Sequence, residues 1–407
     1  MSSAWIYKAA WVIPVDRPPI ENGVVEVHDG LITAVRPAMP HEPGHDLGDM
    51  AILPGLINAH AHLEFSLVEQ PFQPTQRFTD WIRSLVAYRR RVFTPASTDQ
   101  CVALNIGAIE AGLSGTTLLG EIATSDWDEL FLPTHGPRVV AFRELIGLQS
   151  AVMEQQIEIA EEWLTRKAQL APVTYGLSPH APYSVAPELL RRVVDLATRF
   201  DAPVAMHLAE TRGELEFLMH GRGEFVEMLK SFGAWPEGGF ALGRRPLDIL
   251  QTLADAPRAL VVHGNYLSDE EIDFIAAHTQ MSVVYCPRTH EFFGHEPHPW
   301  RQLLARGANV ALGTDGRGSN PDLSLWNELV FLRERFPDVA PCTLLELGTL
   351  AGARALGCEH ECGTITPGKR ADLVTISLTE SGDPLEQLFV TGRPMLIETA
   401  GKSASSV

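Results

Sequence analysis

Short apolar runs recur along the middle of the 407-residue chain, and longer amphipathic stretches separate them. A short apolar run followed by a helix-length segment is the pattern of a βα unit, whose strands lie parallel in one sheet. Eight such units favour a closed, TIM-like (β/α)8 barrel over an open doubly wound sheet, since no glycine-rich phosphate loop follows the first strand. The eight candidate strands lie near 53–62, 116–121, 138–143, 173–178, 204–208, 260–264, 282–286 and 310–315.

Both ends of the chain carry strand signals of another kind. Segments 24–28 and 31–35 flank Asp29-Gly30, a pair suited to a tight type I′ hairpin turn because both central residues need positive φ. Segments 371–376 and 394–398 are also strand-like and lie among glycine and proline. We therefore predict a small β-sandwich domain built from residues 1–53 and 362–407, with the barrel at 54–361.

Charge and cysteine content narrow the choice of partner. The formal net charge of −19 repels phosphate backbones and anionic membranes, so neither nucleic acid nor membrane is expected as a partner. The basic run Arg89-Arg90-Arg91 follows an amphipathic segment and is interpreted as a solvated helix face. Five scattered cysteines without a CxxC pair predict reduced thiols. Without a signal-peptide pattern or an apolar stretch of about 18 residues, a cytoplasmic protein is expected.

His60 and His62 stand at the end of the first candidate strand. Chance gives about 0.5 such HxH pairs in a chain with this histidine content, so the spacing alone is weak evidence. Side chains two residues apart point the same way from a strand, and barrels of this kind hold their active sites at the carboxyl ends of the strands. Both imidazoles are therefore expected to face the barrel mouth.

Three other candidate strands end in polar groups, which are His207, His263 and Asp315. Apolar residues would fill a buried strand end without a desolvation cost, so four polar strand ends together favour a metal site over separate core residues. Three imidazoles and one carboxylate suit Zn²⁺ or Fe²⁺ rather than Ca²⁺ or Mg²⁺. The expected ligands are His60, His62, His207 and Asp315.

Two further residues are candidates for managing protons. Glu210 lies three residues beyond His207 and would carry a proton from the attacking water to a ring nitrogen; the alternative is an ordinary glutamate at a helix N-terminus. His263 would stabilise the attacking hydroxide by a hydrogen bond, and the alternative is a second metal ligand. A metal at this site would bring the pKa of a bound water to about 7.

These motifs resemble those of the amidohydrolase superfamily, in the branch that contains cytosine, guanine and S-adenosylhomocysteine deaminases and chlorohydrolases. The resemblance covers nearly the whole chain and rests on PGLINAHAH at 54–62, HLAE at 207–210, HG at 263–264, GTDG at 313–316 and GTITPGKRADL at 363–373. It implies the four ligands above, Glu210 as proton shuttle, and His263 with Asp315 as the pair that activates water. Dinuclear relatives carry a carboxylated lysine on the fourth strand. Segment 173–180 has no lysine, which implies one divalent metal per chain, Zn²⁺ first and Fe²⁺ as the alternative.

Other segments concern the substrate. SPHAPY at 178–183 resembles the family's substrate-binding histidine segment, which implies a hydrogen bond from His180 to the substrate. HLEFS at 62–66 is similar to aminodeoxyfutalosine deaminases of menaquinone synthesis, whereas CPRTH at 286–290 departs from the segment usual in nucleoside deaminases. The expected substrate contacts are His180, Glu64, Phe65, Trp81, Arg143 and Arg288.

The last four of these residues each have two interpretations. Arg143 and Arg288, at the third strand and after the seventh, would bind a carboxylate on a substrate arm or serve as structural ion-pair partners. Phe65 and Trp81 would stack on a planar ring or pack in the core.

The site and the resemblance together predict a hydrolytic deaminase that releases ammonia from an amino-substituted nitrogen heterocycle. The substrate would be a purine nucleoside, aminodeoxyfutalosine-like or adenosine-like, or a pterin or guanine-type base. The alternatives are a chlorohydrolase or cyclic amide hydrolase with the same site, and a metal-bearing binding protein without turnover. A homodimer is expected because symmetric dimers are the commonest soluble assembly.

Overall fold

The structure is a computed structural model that describes residues 4–73, 75–93, 98–166, 173–236, 238–378 and 382–397. Its strands are β1 (Ala4–Val12), β2 (Ile20–His28), β3 (Leu31–Pro37), β4 (His45–Asp46), β5 (Met50–Pro54), β6 (Leu56–Ala61), β7 (Thr116–Ala123), β8 (Arg138–Leu145), β9 (Val173–Pro179), β10 (Val204–Leu208), β11 (Ala259–His263), β12 (Met281–Tyr285), β13 (Asn309–Leu312), β14 (Leu373–Ser377) and β15 (Met395–Leu396).

The helices surround and connect these strands. They are α1 (Phe78–Val92), α2 (Asp99–Leu113), α3 (Ser150–Leu164), α4 (Pro187–Phe200), α5 (Arg212–His220), α6 (Glu224–Ser231), α7 (Pro246–Leu253), α8 (Asp269–Ala277), α9 (Pro287–Phe293), α10 (Trp300–Ala305), α11 (Leu325–Arg335), α12 (Pro341–Leu347), α13 (Leu350–Leu356) and α14 (Pro384–Thr391), with short 3-10 helices at Leu63–Phe65 and Glu129–Phe131. Within the described ranges, none of them has the length and apolar character needed to cross a bilayer.

Eight parallel strands, β6 to β13, form one sheet in the order in which they occur in the chain. The first and last strands meet, because the backbone N–H groups of Thr314 and Asp315 both donate to the His60 carbonyl at 3.1 Å. Helices follow most of the strands and cover the outside of this sheet. The predicted (β/α)8 barrel is therefore confirmed.

The first predicted strand, 53–62, is divided between two sheets. β5 pairs with the strands of the chain ends, whereas β6 begins the barrel after Gly55. A Cβ atom at Gly55 would lie 2.2 Å from Thr117 Oγ1, so this close passage requires glycine. The other seven predicted strands are confirmed, with ends that differ by at most three residues.

Alternate residues of the barrel strands face its interior, as the period of two in a strand requires. On β8, Val140 and Phe142 belong to the interior cluster, whereas Val139 and Ala141 belong to the layer beneath the helices. Helix α4 shows how that outer layer is completed. Proline opens the helix, and its buried residues recur three and four positions apart: Leu189, Leu190, Val193, Val194, Leu196 and Ala197.

Strands from both chain ends form a second sheet, which confirms that the two ends come together. β14 pairs antiparallel with β5, and the strand order is β15-β14-β5-β1-β2-β3 with β4 beside β1. The strands are hydrogen-bonded as one seven-stranded sheet rather than as two separate sheets. Asp29 and Gly30 form the predicted hairpin turn, with φ of 49° and 77°. The domain limits at 53/54 and 361/362 stay predictions.

The five cysteines are free thiols, as predicted, and two of them, Cys286 and Cys362, are buried. Thiols therefore take no part in holding the two sheets together covalently.

Candidate active site

Three buried histidines meet at the mouth of the barrel. His60 lies on β6, His62 follows that strand directly, and His207 lies on β10. One ring nitrogen from each lies within 4.8 Å of the others, and the Nε2 atoms of His62 and His207 are 3.4 Å apart. We call these three residues the histidine cluster. It could hold a metal ion.

The hydrogen bonds around the cluster leave nitrogen lone pairs free for such an ion. His207 Nδ1 lies 2.9 Å from the His180 carbonyl, so its N–H donates there and Nε2 keeps its lone pair. His60 Nε2 is buried and has no hydrogen-bond partner among the described residues. A buried nitrogen without a partner is costly, and a cation shared by the three rings would remove that cost.

Asp315 lies next to two members of the histidine cluster. Its Oδ1 lies 3.6 Å from His60 Nε2 and 3.5 Å from His62 Nε2, while Oδ2 accepts the Ser319 hydroxyl at 3.1 Å. Burial would raise the pKa of Asp315, but the attraction of His60 and the neighbouring imidazoles outweighs burial and lowers that pKa. The carboxylate is therefore available as an anionic ligand.

Backbone conformation at the strand ends is unusual. His263 ends β11 with φ of 68°, and Asp315 follows β13 with φ of 59°, both in the left-handed region. Histidine and aspartate enter this region more readily than most residues, at a cost of about 1–3 kcal/mol. On β11, Val262 faces the interior, so the alternation of the strand would turn the next side chain outward. The left-handed conformation accompanies the placement of the His263 ring among the cavity-lining residues.

Glu210 lies beside His263 without belonging to the histidine cluster. Its Oε1 is 3.4 Å from His263 Nε2, and both side chains are almost fully buried. Burial, followed by repulsion from Asp315 and Glu214, raises the pKa of Glu210 well above its ordinary value. Burial likewise lowers the pKa of His263 well below its ordinary value. Both shifts favour the uncharged forms, a protonated carboxyl group beside a neutral imidazole.

The loop that carries Glu210 is held by a second buried glutamate that the sequence analysis missed. Glu214 accepts the backbone N–H groups of Ala209 and Glu210, both at 2.9 Å. Thr211 accepts the Glu214 backbone N–H with its hydroxyl, at the start of α5. The T-x-x-E spacing of a capping box was the available signal for this support.

A cavity of about 430 Å³ opens over the histidine cluster. This volume is within the range of sites for small molecules. Its floor is polar, with His62, His207, Glu210, His263 and Asp315, and much of its wall is apolar. The apolar wall includes Phe65, Phe78, Trp81, Ile82, Leu85, Val86, Leu148, Val152, Met228, Leu229 and Phe232.

Three of the six expected substrate residues line this cavity, namely Phe65, Trp81 and His180. Burial, and then repulsion from Arg89, lowers the pKa of His180 to about 3, so its ring is neutral. His180 Nδ1 lies 2.6 Å from the Ser184 hydroxyl, which leaves Nε2 as the nitrogen without a partner among the described residues. That nitrogen is free to bind a ligand in the cavity.

The other three expected substrate residues are absent from the cavity lining given by the described residues. Arg288 pairs with Glu328 at 2.7 Å and Asp322 at 2.6 Å, which is the structural ion pair weighed as the alternative. Arg143 donates to the Ser125 carbonyl at 3.1 Å, because it lies on the outer face of β8. Glu64 lies behind the wall, paired with Arg89.

Two charged residues in the wall correct the sequence analysis. Arg89 was interpreted as part of a solvated face, but it lines the cavity and pairs with Glu64. Glu144 also lines the cavity, two residues after the inward-facing Phe142 on β8. The alternation of β8 was a signal that could have found Glu144 in place of Arg143.

A buried histidine cluster with an adjacent carboxylate, at the mouth of a (β/α)8 barrel and under a small-molecule cavity, defines a barrel protein with a candidate metal centre. Comparison with known proteins identifies a family for this chain. The sequence profile of the Amidohydrolase family matches residues 51–400. The chain belongs to the amidohydrolase family.

Individual relatives extend over most of the chain. It is 31% identical to the 5-methylthioadenosine/S-adenosylhomocysteine deaminase of Moorella thermoacetica, covering 92% of this chain and 86% of that one. It is 28% identical to the aminodeoxyfutalosine deaminase of Nitratiruptor sp., covering 85% and 83%. An adenosine deaminase from Xanthomonas campestris, solved with bound zinc, superposes with a TM-score of 0.77 at 26% identity, covering 96% of this chain and 89% of that one.

Proposed function

We propose that this protein is a metal-dependent deaminase, which replaces the amino group of a purine nucleoside by oxygen and releases ammonia. The observation that carries the proposal is the buried Glu210, whose Oε1 lies 3.4 Å from His263 Nε2 and which lines one cavity with His62 and His207 of the histidine cluster. The relatives named as deaminases of adenosine-type compounds support the same chemistry. The overall reaction adds one water and releases one ammonia.

We further propose that His60, His62, His207 and Asp315 hold one divalent metal, Zn²⁺ first. The unpartnered His60 Nε2 and the free lone pair of His207 support this assignment, because both suit a cation. When bound, such a metal supplies hydroxide at neutral pH by lowering the pKa of water.

Glu210 manages the protons in this proposal. Its raised pKa keeps a proton on the carboxyl group, which it donates to the ring nitrogen next to the amino-bearing carbon as water adds to that carbon. The carboxylate so formed takes one proton of the added water and passes it to the departing amine, and the second proton of that water then restores the Glu210 carboxyl group. Glu214 and Asn265 hold Glu210 in position, since Asn265 donates to the Glu210 carbonyl at 3.0 Å.

His263 and His180 are assigned to orientation rather than proton transfer. Neutral His263 has a nitrogen 3.4 Å from Glu210 Oε1 and can hydrogen-bond the attacking water. His180 offers its remaining ring nitrogen to the heterocycle, and Phe65 and Trp81 give apolar surface for a planar ring.

Ammonia release from a panel of compounds tests the proposal. The panel contains adenosine, methylthioadenosine, S-adenosylhomocysteine, aminodeoxyfutalosine, guanine and an amino-substituted pterin. We expect turnover of at least one nucleoside, loss of turnover after chelation, and recovery with Zn²⁺. Chloride release from a chlorinated triazine or ring opening of a cyclic amide, with no ammonia from the panel, would assign the site to the rival hydrolases. Unaltered behaviour of a Glu210→Gln variant in every assay would indicate a binding protein.

Three finer assignments accompany this proposal and stay predictions, namely zinc as the resident metal, a homodimer and a cytoplasmic location. Metal analysis of the purified protein and sedimentation of the chain test the first two. Zinc in the adenosine deaminase from Xanthomonas campestris supports the first.

A further inference from the structure

The cavity has a second polar region, separate from the histidine cluster. It consists of Arg89 on α1, Glu64 in the 3-10 turn after His62, and Glu144 at the end of β8. We call these three residues the Arg89 triad. Arg89 and Glu144 line the cavity that the proposed catalytic residues also line.

Glu64 holds the Arg89 guanidinium in place through two hydrogen bonds. Its Nε–H donates to Glu64 Oε2 at 2.8 Å, and an Nη2 N–H donates to the other oxygen of the same carboxylate. The Glu64 side chain is 2% exposed, so this paired contact is shielded from water. The guanidinium therefore has a fixed position in the wall, with Nη1 3.7 Å from Glu144 Oε2.

Glu144 differs from Glu64 because its hydrogen-bonding capacity is unused. Its side chain is only 8% exposed, and no described residue donates a hydrogen bond to its carboxylate. A carboxylate has about four lone-pair positions, and leaving a buried one without donors is costly. Since Glu144 faces the cavity, the missing donors are ones that a ligand can bring.

The charges around Glu144 restrict what that ligand group can be. The triad holds two carboxylates and one guanidinium, so a carboxylate on the substrate would face two like charges. A substrate ammonium would approach the Arg89 cation that already lies 3.7 Å from Glu144. A neutral hydroxyl donor avoids both repulsions, and two neighbouring hydroxyls can share the two oxygens of one carboxylate.

We propose that Glu144 is a specificity-determining residue that accepts hydrogen bonds from the sugar hydroxyls of the substrate, while Arg89 and Glu64 hold it in position. This inference rests on the proposed deamination of a nucleoside. It places the base at the histidine cluster and the sugar at the Arg89 triad of the same cavity. The carboxylate arm once expected at Arg143 or Arg288 has no counterpart in this arrangement.

The test compares adenosine with 2′,3′-dideoxyadenosine in the metal-loaded enzyme. We expect Glu144→Gln to lower kcat/KM for adenosine by about 10-fold, and Glu144→Ala by about 100-fold, mainly through KM. Both variants should change kcat/KM for the dideoxy compound by less than about 2-fold, since this compound lacks the hydroxyl donors whose hydrogen bonds Glu144 would accept. Glu154→Gln, the same change at an exposed position of α3, is the control and should alter neither value.

The outcomes separate the two proposals. Equal losses on both nucleosides would assign Glu144 a merely structural role and overturn the inference, as would unchanged kinetics on both. If the wild-type enzyme releases ammonia from no nucleoside of the panel, the deaminase proposal fails as well. The wild-type preference for adenosine over the dideoxy compound needs no variant, so it tests the hydroxyl contact even if Glu144→Ala fails to fold.

Discussion

The two polar regions of the cavity are built in different ways. The histidine cluster comes from residues within or directly after barrel strands, whose positions the closed sheet fixes through its backbone hydrogen bonds. The Arg89 triad depends on a long side chain from α1, which meets Glu144 only because the helix packs across the barrel mouth. A strand end is thus a reliable place to expect a functional group, whereas a helix side chain needs the tertiary packing.

The strongest test of this contrast removes a proposed metal ligand that lies on a strand. His207→Ala should lower kcat/KM by at least about 1000-fold, because a metal contributes several kcal/mol of transition-state stabilisation. The variant should also lose bound metal, as measured by elemental analysis of the dialysed protein. His220→Ala, the same change on the exposed surface of α5, should keep both metal and activity. Full metal content in His207→Ala would remove this residue from the ligand set.

Loss of Glu210, the proposed proton shuttle, should have the next largest effect. Glu210→Gln should lower kcat by about 1000-fold with the metal content unchanged, since general acid–base catalysis contributes about 100- to 10,000-fold. Steady-state kinetics and metal analysis on one preparation check both expectations. Glu216→Gln on α5 is the matched control, because its side chain is 40% exposed. A variant that also lost its metal would make Glu210 a ligand.

The sequence predicted the positions of the polar residues at the strand ends well, because strand periodicity and strand order determine which residues reach the barrel mouth. His60, His62, His207, Glu210, His263 and Asp315 all lie where the eight-unit pattern placed them. On β8 the same periodicity, with Phe142 facing the interior, makes Glu144 rather than Arg143 the residue that lines the cavity. Arg89 could not be assigned, because an arginine on a helix is solvated or buried according to the packing of that helix.

Glu214, which supports the loop that carries Glu210, should make the free energy of unfolding depend on pH. Burial raises the pKa of Glu214 from 4.5 to about 7, despite backbone hydrogen bonds that favour its carboxylate. Between these values the folded state binds more protons than the unfolded state, so stability falls as pH rises through about 7. The contribution is about 3 kcal/mol at low pH and is lost above that range.

Urea unfolding of the wild type and Glu214→Gln from pH 4 to 8 measures this contribution. Their free energies of unfolding should diverge by about 3 kcal/mol across the range, with the wild type losing stability relative to the variant as pH rises. Parallel curves would show that Glu214 keeps an ordinary pKa.

The smallest effect on catalysis should come from Arg143, the outward-facing neighbour of Glu144. Arg143→Gln removes hydrogen bonds to the Thr124 and Ser125 carbonyls and should lower the free energy of unfolding by about 1 kcal/mol. Its kcat/KM on the best nucleoside should stay within about 2-fold of the wild type, because the residue faces away from the cavity. A 10-fold rise in KM with unchanged stability would instead return Arg143 to the substrate site. Adjacent residues on one strand would then both reach the ligand, which the alternation of β8 does not allow without a local change in the strand.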